Sequence, residues 1–573
     1  MFGAVFLATL VLLWKRLHMG VDFTDEGLWV ADPYLTVKGA TPVANQWIQT
    51  SLANLLLAPL IRLMLLIHGS TDGIFLHMRI LCFLFRLCFS FLIVWLLRPY
   101  VNLRGRLLFF ALLTVQGMCN SSLYLNYYNM ALCLMLLSII LVYRFVRGEK
   151  KNYLFLILAG CTMACSALAQ VYTIPVCVGY AILLLTYDIR HHNKLRAFLS
   201  FSLAGLSVAA IAFMYIVIKG GGIDTFLWGV DSILHGGYFD RSHDGLVLSM
   251  LSCTKNWLWE LFRFVLLPAG LVWLLFLYKN KDAQTSYLSA AICIFAAIFI
   301  GILWKNMDSQ NDETASGAAF WMAAVSLLIV FFSPPAKRKQ RMILYCMIAI
   351  PCVSCYFISS YYFINSAAYR LYNFAPAAYL FALTFPDPEP ESCSSRSKCG
   401  TALLMAGITV FAAVSIGYFA SYRWAYVYRD SPIRELTDRV DCGVYEGLYT
   451  SKERKTCLEN FENIVDTYVA DEDLVLYADS IPAGYMMTDA TGYAHTPWDP
   501  TGFRYGGTDM KKLNRFFTHY GHFPTKIVFA QAEPRPISIE SDTDFTNFTK
   551  THYHLIYSDN SPQLKTYIYE LNS

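Results

Sequence analysis

The sequence predicts a polytopic α-helical membrane protein that ends in a small α/β domain. Of its 573 residues, 56% are hydrophobic and only 15% are charged, whereas a soluble domain carries about 25% charged residues. The deficit is concentrated in residues 1–420, where apolar runs alternate with short polar loops, and runs of about 20 apolar residues are long enough to cross a bilayer. Residues 421–573 have the mixed composition of a soluble domain. We therefore divide the chain at residue 420.

The apolar runs predict about 13 transmembrane helices. Their expected limits are 1–18, 76–98, 106–122, 129–146, 152–169, 172–188, 196–218, 257–278, 284–304, 316–333, 342–360, 368–386 and 400–420. The run 46–68 is also apolar, but Pro59 and Arg62 interrupt it. We interpret that run as an interfacial or re-entrant helix.

The distribution of basic residues sets the predicted orientation. Alternate loops are rich in Lys and Arg, which mark the cytoplasmic side of a membrane. These loops contain Arg98, Arg104, Arg106, Arg144, Arg147, Lys150, Lys151, Arg190, Lys194, Arg196, Lys279, Lys281, Lys337, Arg338, Lys339, Arg341, Arg396 and Lys398. An odd number of spans then places residues 421–573 outside. Lys15 and Arg16 conflict with this pattern, and we expect them to snorkel or to bind an anionic lipid headgroup.

The C-terminal segment alternates strand-like and helical patterns, which predicts a small extracytoplasmic α/β domain. Strand-like runs are Leu474–Tyr477, Lys526–Ala530, Leu555–Tyr557 and Thr566–Tyr569, and helical patterns cover 456–468 and 509–519. Cys442 and Cys457 are the only cysteines of this segment. Because an oxidising compartment favours pairing, we predict a disulfide between them, with two free thiols as the alternative.

The first outer loop, residues 19–75, is the most informative segment for function. Asp22, Asp25, Glu26 and Asp32 crowd into a short stretch after the first span. Carboxylates this close at a membrane surface repel one another unless they are solvated, bound to a metal or used in chemistry. A partly buried carboxylate can act as a general base. The alternative is an ordinary solvated loop.

The order of residues in this loop resembles that of GT-C-type membrane glycosyltransferases, in particular the protein O-mannosyltransferases and the lipid A aminoarabinose transferases. The residues that carry the resemblance are Asp25, Glu26, Trp29, Tyr34, Gly39 and Pro42, followed by the apolar run 46–68, Gly69 and Arg79. The general plan of about 13 spans with long outer loops and an outer C-terminal domain is similar as well.

The resemblance implies a polyprenyl-phosphate-linked sugar as donor and inversion at the anomeric carbon. Asp25 would be the general base, with Glu26 orienting it or contacting the acceptor. Where such enzymes often carry a second acidic residue, this chain has Asn126 and Asn129. These asparagines, with Trp29 and Tyr34, would contact the sugar or the acceptor. The alternative is that Asn129 caps a helix.

A leaving phosphate requires a cation to balance its charge. Arg370, in an aromatic outer loop before a predicted span, is the first candidate. The alternative for Arg370 is an interfacial arginine among belt tyrosines. Arg79 and Lys38 are further candidates, and Arg86 lies deep enough in a span to be functional or paired.

The leading hypothesis is therefore a membrane glycosyltransferase in the plasma membrane of a bacterium, acting on an unidentified glycan, lipid or protein acceptor. Two alternatives stay open: a transporter or flippase of lipid-linked sugars, and an inactive relative that serves as an assembly subunit. The sequence shows no repeated halves of the kind common in transporters. No spacing of Cys and His indicates a metal site, so we predict no cofactor, with a divalent metal as the open alternative. The net charge of +4 gives no sign of a nucleic-acid partner.

Overall fold

The computed structural model of the protein describes most of the chain, with the largest gap between residues 305 and 395. The described residues are 2–48, 50–116, 123–148, 152–186, 193–234, 255, 259, 262–271, 284–305, 395–425, 427, 429–479, 481–501, 510–531, 543–561 and 564–572.

Helices form at every predicted span that lies within the described residues. In chain order the helices are α1 Phe2–Leu17, α2 Asp25–Val37, α3 Asn54–His68, α4 Ile74–Leu96, α5 Leu103–Gln116, α6 Tyr127–Arg147, α7 Leu154–Ala169, α8 Ile174–Thr186, α9 Lys194–Lys219, α10 Ile223–Leu234, α11 Phe262–Leu271, α12 Gln284–Lys305, α13 Ser395–Ala425, α14 Lys452–Tyr468, α15 Met510–Tyr520 and α16 Asp544–His552. Short 3₁₀ segments cover Ser51–Ala53, Val171–Thr173, Ile433–Glu435 and Pro482–Met486.

Five helical segments in the described part of the chain are long and apolar enough to cross a membrane. They are Ser51–His68, Ile74–Leu96, Tyr127–Arg147, Lys194–Lys219 and Lys398–Tyr418. Four shorter apolar helices lie at Leu154–Ala169, Ile174–Thr186, Phe262–Leu271 and Ser286–Ile302. The expected spans 316–333, 342–360 and 368–386 lie outside the described residues, so the number of about 13 spans stays a prediction.

Small residues let the apolar helices pack closely. A Cβ on Gly160 of α7 would come within 2.1 Å of the Phe201 carbonyl oxygen of α9, so a larger residue would force these helices apart. Gly407 of α13 lies against Ala290 of α12 in a similar way. Such contacts are typical of helix packing in membranes, where close van der Waals contact replaces the hydrophobic driving force.

The C-terminal domain is built on a five-stranded mixed sheet, as the strand and helix patterns predict. Its strands are β3 Leu474–Asp479, β4 Thr491–Gly492, β5 Lys526–Gln531, β6 Tyr553–Asn560 and β7 Lys565–Leu571, after the small antiparallel pair β1 Asp438–Arg439 and β2 Tyr449–Thr450. The strand order is β4-β3-β5-β7-β6, with β3 parallel to β4 and β5, and β7 antiparallel to β5 and β6. Helices α14 and α15 bury apolar faces within this domain.

This domain packs directly on the loop after α1, so both lie on the same side of the apolar helices. The Gly20 N–H donates to the Tyr449 carbonyl oxygen at 2.8 Å, and the Tyr449 N–H donates to the His18 carbonyl oxygen at 2.7 Å. Farther along the loop, Gly27 of α2 lies against the backbone nitrogen of Ala483. The domain therefore fixes the position of the acidic segment.

Helix α3 has the length and composition of a span, but both of its ends lie near the C-terminal domain. Before its first turn, the Trp47 N–H donates to the His495 carbonyl oxygen at 2.6 Å. After its last turn, the Gly73 N–H donates to the Gly443 carbonyl oxygen at 2.8 Å. A helix that crosses a bilayer carries its ends to opposite sides. These contacts favour the interfacial interpretation of the run 46–68.

Arg16 is buried within the protein, which does not support the expected snorkelling or lipid contact. Its side chain is buried and donates to the carbonyl oxygen of Met19, beneath the C-terminal domain. Lys15, one residue earlier, is exposed.

The predicted disulfide is absent, because Cys442 and Cys457 are both free thiols. Cys442 lies near the carboxylates of Glu459 and Glu462. A Cβ on the next residue, Gly443, would touch the Glu462 carboxylate. Cys457 lies instead near Arg454 and Asp559. Cys442 therefore lies against one side of α14, whereas Cys457 belongs to another side of that helix. The predicted disulfide was wrong because the sequence does not reveal which side of the helix each thiol meets.

Candidate functional site

Asp22 holds the start of α2 in place. Its Oδ1 accepts hydrogen bonds from the N–H and the hydroxyl of Thr24 at 3.1 and 2.9 Å, and its Oδ2 accepts from the Glu26 N–H at 3.0 Å. Backbone N–H groups of a first helical turn lack partners within the helix, and a carboxylate there satisfies them. Burial, followed by the nearby Asp25, raises the pKa of Asp22. Asp22 is therefore a structural cap.

Glu26 points into the protein and pairs with Arg79 of α4. The Arg79 Nη2 lies 2.7 Å from Glu26 Oε2, and both side chains are almost fully buried. The remaining donors of Arg79 reach the Tyr124 hydroxyl and the carbonyl oxygens of Leu17, Met19 and Gly20. Since a guanidinium has five N–H donors, Arg79 is fully engaged by the protein in this state, which does not support its expected role at a donor phosphate.

Asp25 projects beside Arg429, which follows the last apolar helix. Its Oδ2 lies 3.5 Å from Arg429 Nη2. The Asp25 side chain is 22% exposed and the Arg429 side chain is 25% exposed. Arg429 also donates to the Thr24 hydroxyl. Asp25 is therefore the accessible member of the acidic pair, whereas Glu26 is enclosed.

The C-terminal domain holds Arg429 in position through two neighbours. Arg454 donates to the Arg429 carbonyl oxygen at 2.6 Å and to that of Val21 at 2.8 Å. Asp430, whose side chain is fully buried, accepts from the Val21 N–H at 2.7 Å and from the Thr450 hydroxyl at 2.8 Å. Arg429 itself has a φ of 52°, a region that non-glycine residues rarely adopt. Several contacts thus fix a strained cation next to Asp25.

The face of α2 that carries Asp25 also lines a small, partly open recess, which we call the α2 recess. Trp29 lies four residues after Asp25 and Asp32 seven, so all three share one side of the helix. The polar and aromatic residues that line the recess are Trp29, Asp32, Thr50, Asn54, Asn126 and Tyr127, and its other lining residues are apolar.

Asp32 is the buried carboxyl of the α2 recess. Its Oδ1 lies 3.3 Å from the Gln46 Nε2, and Asn54 also hydrogen-bonds to it. Burial raises its pKa from 3.8 to about 7, and the Asn54 contact only partly opposes this rise. Asp32 belonged to the acidic cluster in the sequence, but nothing there marked its burial.

Asn126 and Asn129 have different roles at the start of α6. Asn126 is the cap, because its Oδ1 accepts from the Asn129 N–H at 3.0 Å. The capping alternative was therefore assigned to the wrong asparagine. Asn129 instead accepts from Arg86 and donates to the Tyr124 carbonyl oxygen at 2.7 Å. Arg86 is thus paired, and Asn129 is turned away from the recess by these contacts.

Two other predicted site residues, Lys38 and Tyr34, do not line the α2 recess. Lys38 lies 2.6 Å from Asp489 of the C-terminal domain, so in this state it binds that carboxylate. Tyr34 is buried in the apolar core shared by α2 and the C-terminal domain. Arg370 lies outside the described residues. Arg429 was missed by sequence reasoning, and the only signal was its place just after the last apolar run.

Comparisons with known proteins do not assign this chain to a family. No protein-family model matches it, and no curated protein matches it.

Proposed function

We propose that this protein transfers a sugar from a polyprenyl-phosphate-linked donor to an acceptor at the outer face of a membrane. The observation that carries the proposal is the pairing of Asp25 with Arg429. A partly exposed carboxylate and a partly exposed guanidinium meet at the edge of the apolar helices, near a small recess lined by polar and aromatic side chains. A lipid-linked donor is confined to the bilayer, so its sugar–phosphate bond lies near the membrane surface, where we place Asp25 and Arg429.

In the proposed reaction, Arg429 moves from Asp25 to the donor phosphate, which releases the carboxylate. Asp25 accepts the proton of the acceptor hydroxyl or amine as its oxygen or nitrogen attacks the anomeric carbon. The bond from that carbon to the phosphate oxygen breaks, and the electron pair leaves with the polyprenyl phosphate. A single displacement of this kind inverts the anomeric carbon. Arg429 balances the charge that grows on the phosphate.

Glu26 takes a positioning role in this proposal. Its carboxylate is bound to Arg79 and enclosed, so it holds the first turn of α2 against α4. We propose that about 13 spans with inner basic loops place the site and residues 421–573 outside a bacterial plasma membrane. The direct contacts between the loop after α1 and the C-terminal domain support a common side for both.

The proposal is tested with purified protein in proteoliposomes, using polyprenyl phosphates that carry labelled pentoses or hexoses, and bacterial membranes as the source of acceptor. We expect wild type to move label into the acceptor fraction and Asp25→Asn to lose this activity by about 10²–10⁴-fold, the usual contribution of a general base. Asp471→Asn, in an exposed turn of the C-terminal domain, is the matched control.

Two results would reject the proposal. One is an Asp25→Asn variant that transfers sugar like wild type. The other is a wild type that carries the intact donor across the bilayer without cleaving it, which would favour the transporter hypothesis. A folded wild type that neither cleaves nor moves any donor would favour the inactive assembly subunit.

A further inference from the structure

Two arginine side chains of the apolar helices rest on aromatic rings at the start of α7. The guanidinium carbon of Arg144, in the last turn of α6, lies 4.8 Å from the centre of the Phe155 ring. The guanidinium carbon of Arg196, in the first turn of α9, lies 4.5 Å from the centre of the Tyr153 ring. The Tyr153 ring centre is also 5.3 Å from that of Phe145 of α6. The ends of three helices therefore bring two cations to one short segment, residues 153–155.

These two cations lack a counter-charge within the described part of the chain. Neither the Arg144 nor the Arg196 guanidinium forms an ion pair there, and the buried Nε of Arg144 has no hydrogen-bond partner among the described residues. Other arginines of the protein do pair with a carboxylate, namely Arg79, Arg429, Arg454 and Arg515. Because buried polar groups are normally hydrogen-bonded, the open Arg144 donor favours an anionic ligand at this point.

Exposed apolar side chains continue from the two arginines along α7 and α9. They lie within about one turn of the residues that carry or contact the guanidinium groups. These side chains are Leu154, Ile157 and Leu158 of α7, and Leu195 and Leu199 of α9. A guanidinium matches the geometry of a phosphate, and basic sites between membrane helices bind anionic headgroups. A phospholipid fits both the cations and the apolar surface, whereas a water-soluble phosphate would use the cations alone.

We propose that Arg144 and Arg196 bind the phosphate of an anionic phospholipid whose acyl chains lie against the exposed apolar side chains of α7 and α9. The 21 residues of α6 span about 30 Å, from Tyr127 beside the α2 recess to Arg147, one turn after Arg144. The phospholipid site is therefore separate from Asp25, and in the proposed orientation it faces the inner leaflet. Its occupancy is measured without a sugar donor, so it does not depend on sugar transfer.

The test is native mass spectrometry of the delipidated full-length protein in detergent. The probes are phosphatidylglycerol, phosphatidylcholine with the same acyl chains, and soluble glycerol phosphate. We expect the first phosphatidylglycerol to bind at least about fivefold more tightly than phosphatidylcholine, because the net charge of phosphatidylcholine is zero. Glycerol phosphate at the same concentration should not displace it. Equal affinity for the two lipids, or displacement by glycerol phosphate, would overturn the proposal.

Two substitutions test the contact directly. Arg196→Gln and Arg144→Gln should each weaken the binding of the first phosphatidylglycerol about fivefold, which is the usual contribution of one cation near an anionic lipid. Arg196 is exposed, so its variant keeps the core intact and carries the test even if Arg144→Gln does not fold.

Arg104→Gln is the matched control for these substitutions. Arg104 is an exposed arginine on the same predicted side of the membrane, and it donates to the Met405 Sδ instead of lying on an aromatic ring of α7. We expect its loss to change the affinity for phosphatidylglycerol less than about twofold, because surface charge away from a site is screened. An equal loss in Arg104→Gln and Arg196→Gln, or unchanged affinity in folded Arg196→Gln, would refute the site.

Discussion

The Nη2 atom of Arg79 lies 2.7 Å from the Oε2 atom of Glu26, and both side chains are buried. This ion pair joins the first turn of α2 to α4, and the same guanidinium binds three backbone carbonyl oxygens at the end of α1. The end of α1 and the first turn of α2 therefore both contact the Arg79 guanidinium of α4. The acidic pair in the sequence is divided by this contact into an enclosed Glu26 and an accessible Asp25.

Removing Glu26 should damage the fold more than the chemistry. Deleting one partner of a buried ion pair typically costs about 3–5 kcal/mol, because the other charge is left without compensation. Glu26→Ala should therefore unfold at a clearly lower temperature in detergent. Glu26→Gln keeps an acceptor for Arg79 and should lose less stability. If both variants melt like wild type, the ion pair does not hold α2 in place.

Arg429 should affect donor use rather than folding. Arg429→Lys keeps the charge but loses the planar fork that binds a phosphate through two hydrogen bonds. We expect a higher KM for the lipid-linked donor with Arg429→Lys, and a larger loss of kcat/KM with Arg429→Ala. Arg434→Ala is the control, since that arginine is exposed in the next 3₁₀ segment. Normal donor kinetics for Arg429→Ala would remove Arg429 from the reaction.

Asp32 should make stability depend on pH in a defined direction. Its pKa in the folded protein is about 7 and its unperturbed value is 3.8, so the folded state retains a proton that the unfolded state releases. The stabilisation is complete below about pH 4 and is lost as pH rises through 7. At about 1.4 kcal/mol per pKa unit, the upper bound is on the order of 4 kcal/mol.

Thermal unfolding of Asp32→Asn at several pH values measures this effect. The variant should gain stability relative to wild type as pH rises from 4 to 8. Asp22, whose pKa is also raised, is present in both proteins and largely cancels in the difference. The exposed Asp471→Asn is the control. A difference between Asp32→Asn and wild type that does not change with pH would contradict the assigned burial.

The two cysteines of the C-terminal domain should react separately. Mass spectrometry without reduction should find no Cys442–Cys457 link. Cys442 is exposed, whereas Cys457 is partly buried and burial raises its pKa to about 11. Because the thiolate is the reactive form, maleimide at pH 8 should label Cys442 first and Cys457 much more slowly. A recovered Cys442–Cys457 disulfide would restore the original expectation.

The basic loops predict that the C-terminus lies outside the cytoplasm. A reporter that is active only outside the cytoplasm should work when fused after Ser573, and a reporter that needs the cytoplasm should fail. The same pair of reporters fused after Gly148, in a loop with Arg144 and Arg147, should give the opposite result. Cytoplasmic activity at the C-terminus would reverse the orientation and remove the site from the outer face.

The sequence by itself determined the features that depend on local composition and periodicity. Long apolar runs predicted the apolar helices, and short strand-like runs predicted the strands β3, β5, β6 and β7 of the C-terminal domain. The crowding of carboxylates after the first span also marked the segment that the structure encloses. These signals are readable because hydropathy and strand pattern are set by residues close together in the chain.

Only the tertiary structure decided what each polar side chain contacts. The pairing of Asp25 with Arg429 joins residues about 400 positions apart, and Glu26 meets Arg79 on another helix. Asp32 acquired its raised pKa from burial between α2 and α3, and Asn126 rather than Asn129 became the cap of α6. Such outcomes depend on which faces of distant helices meet, because packing and desolvation arise only when the chain is folded.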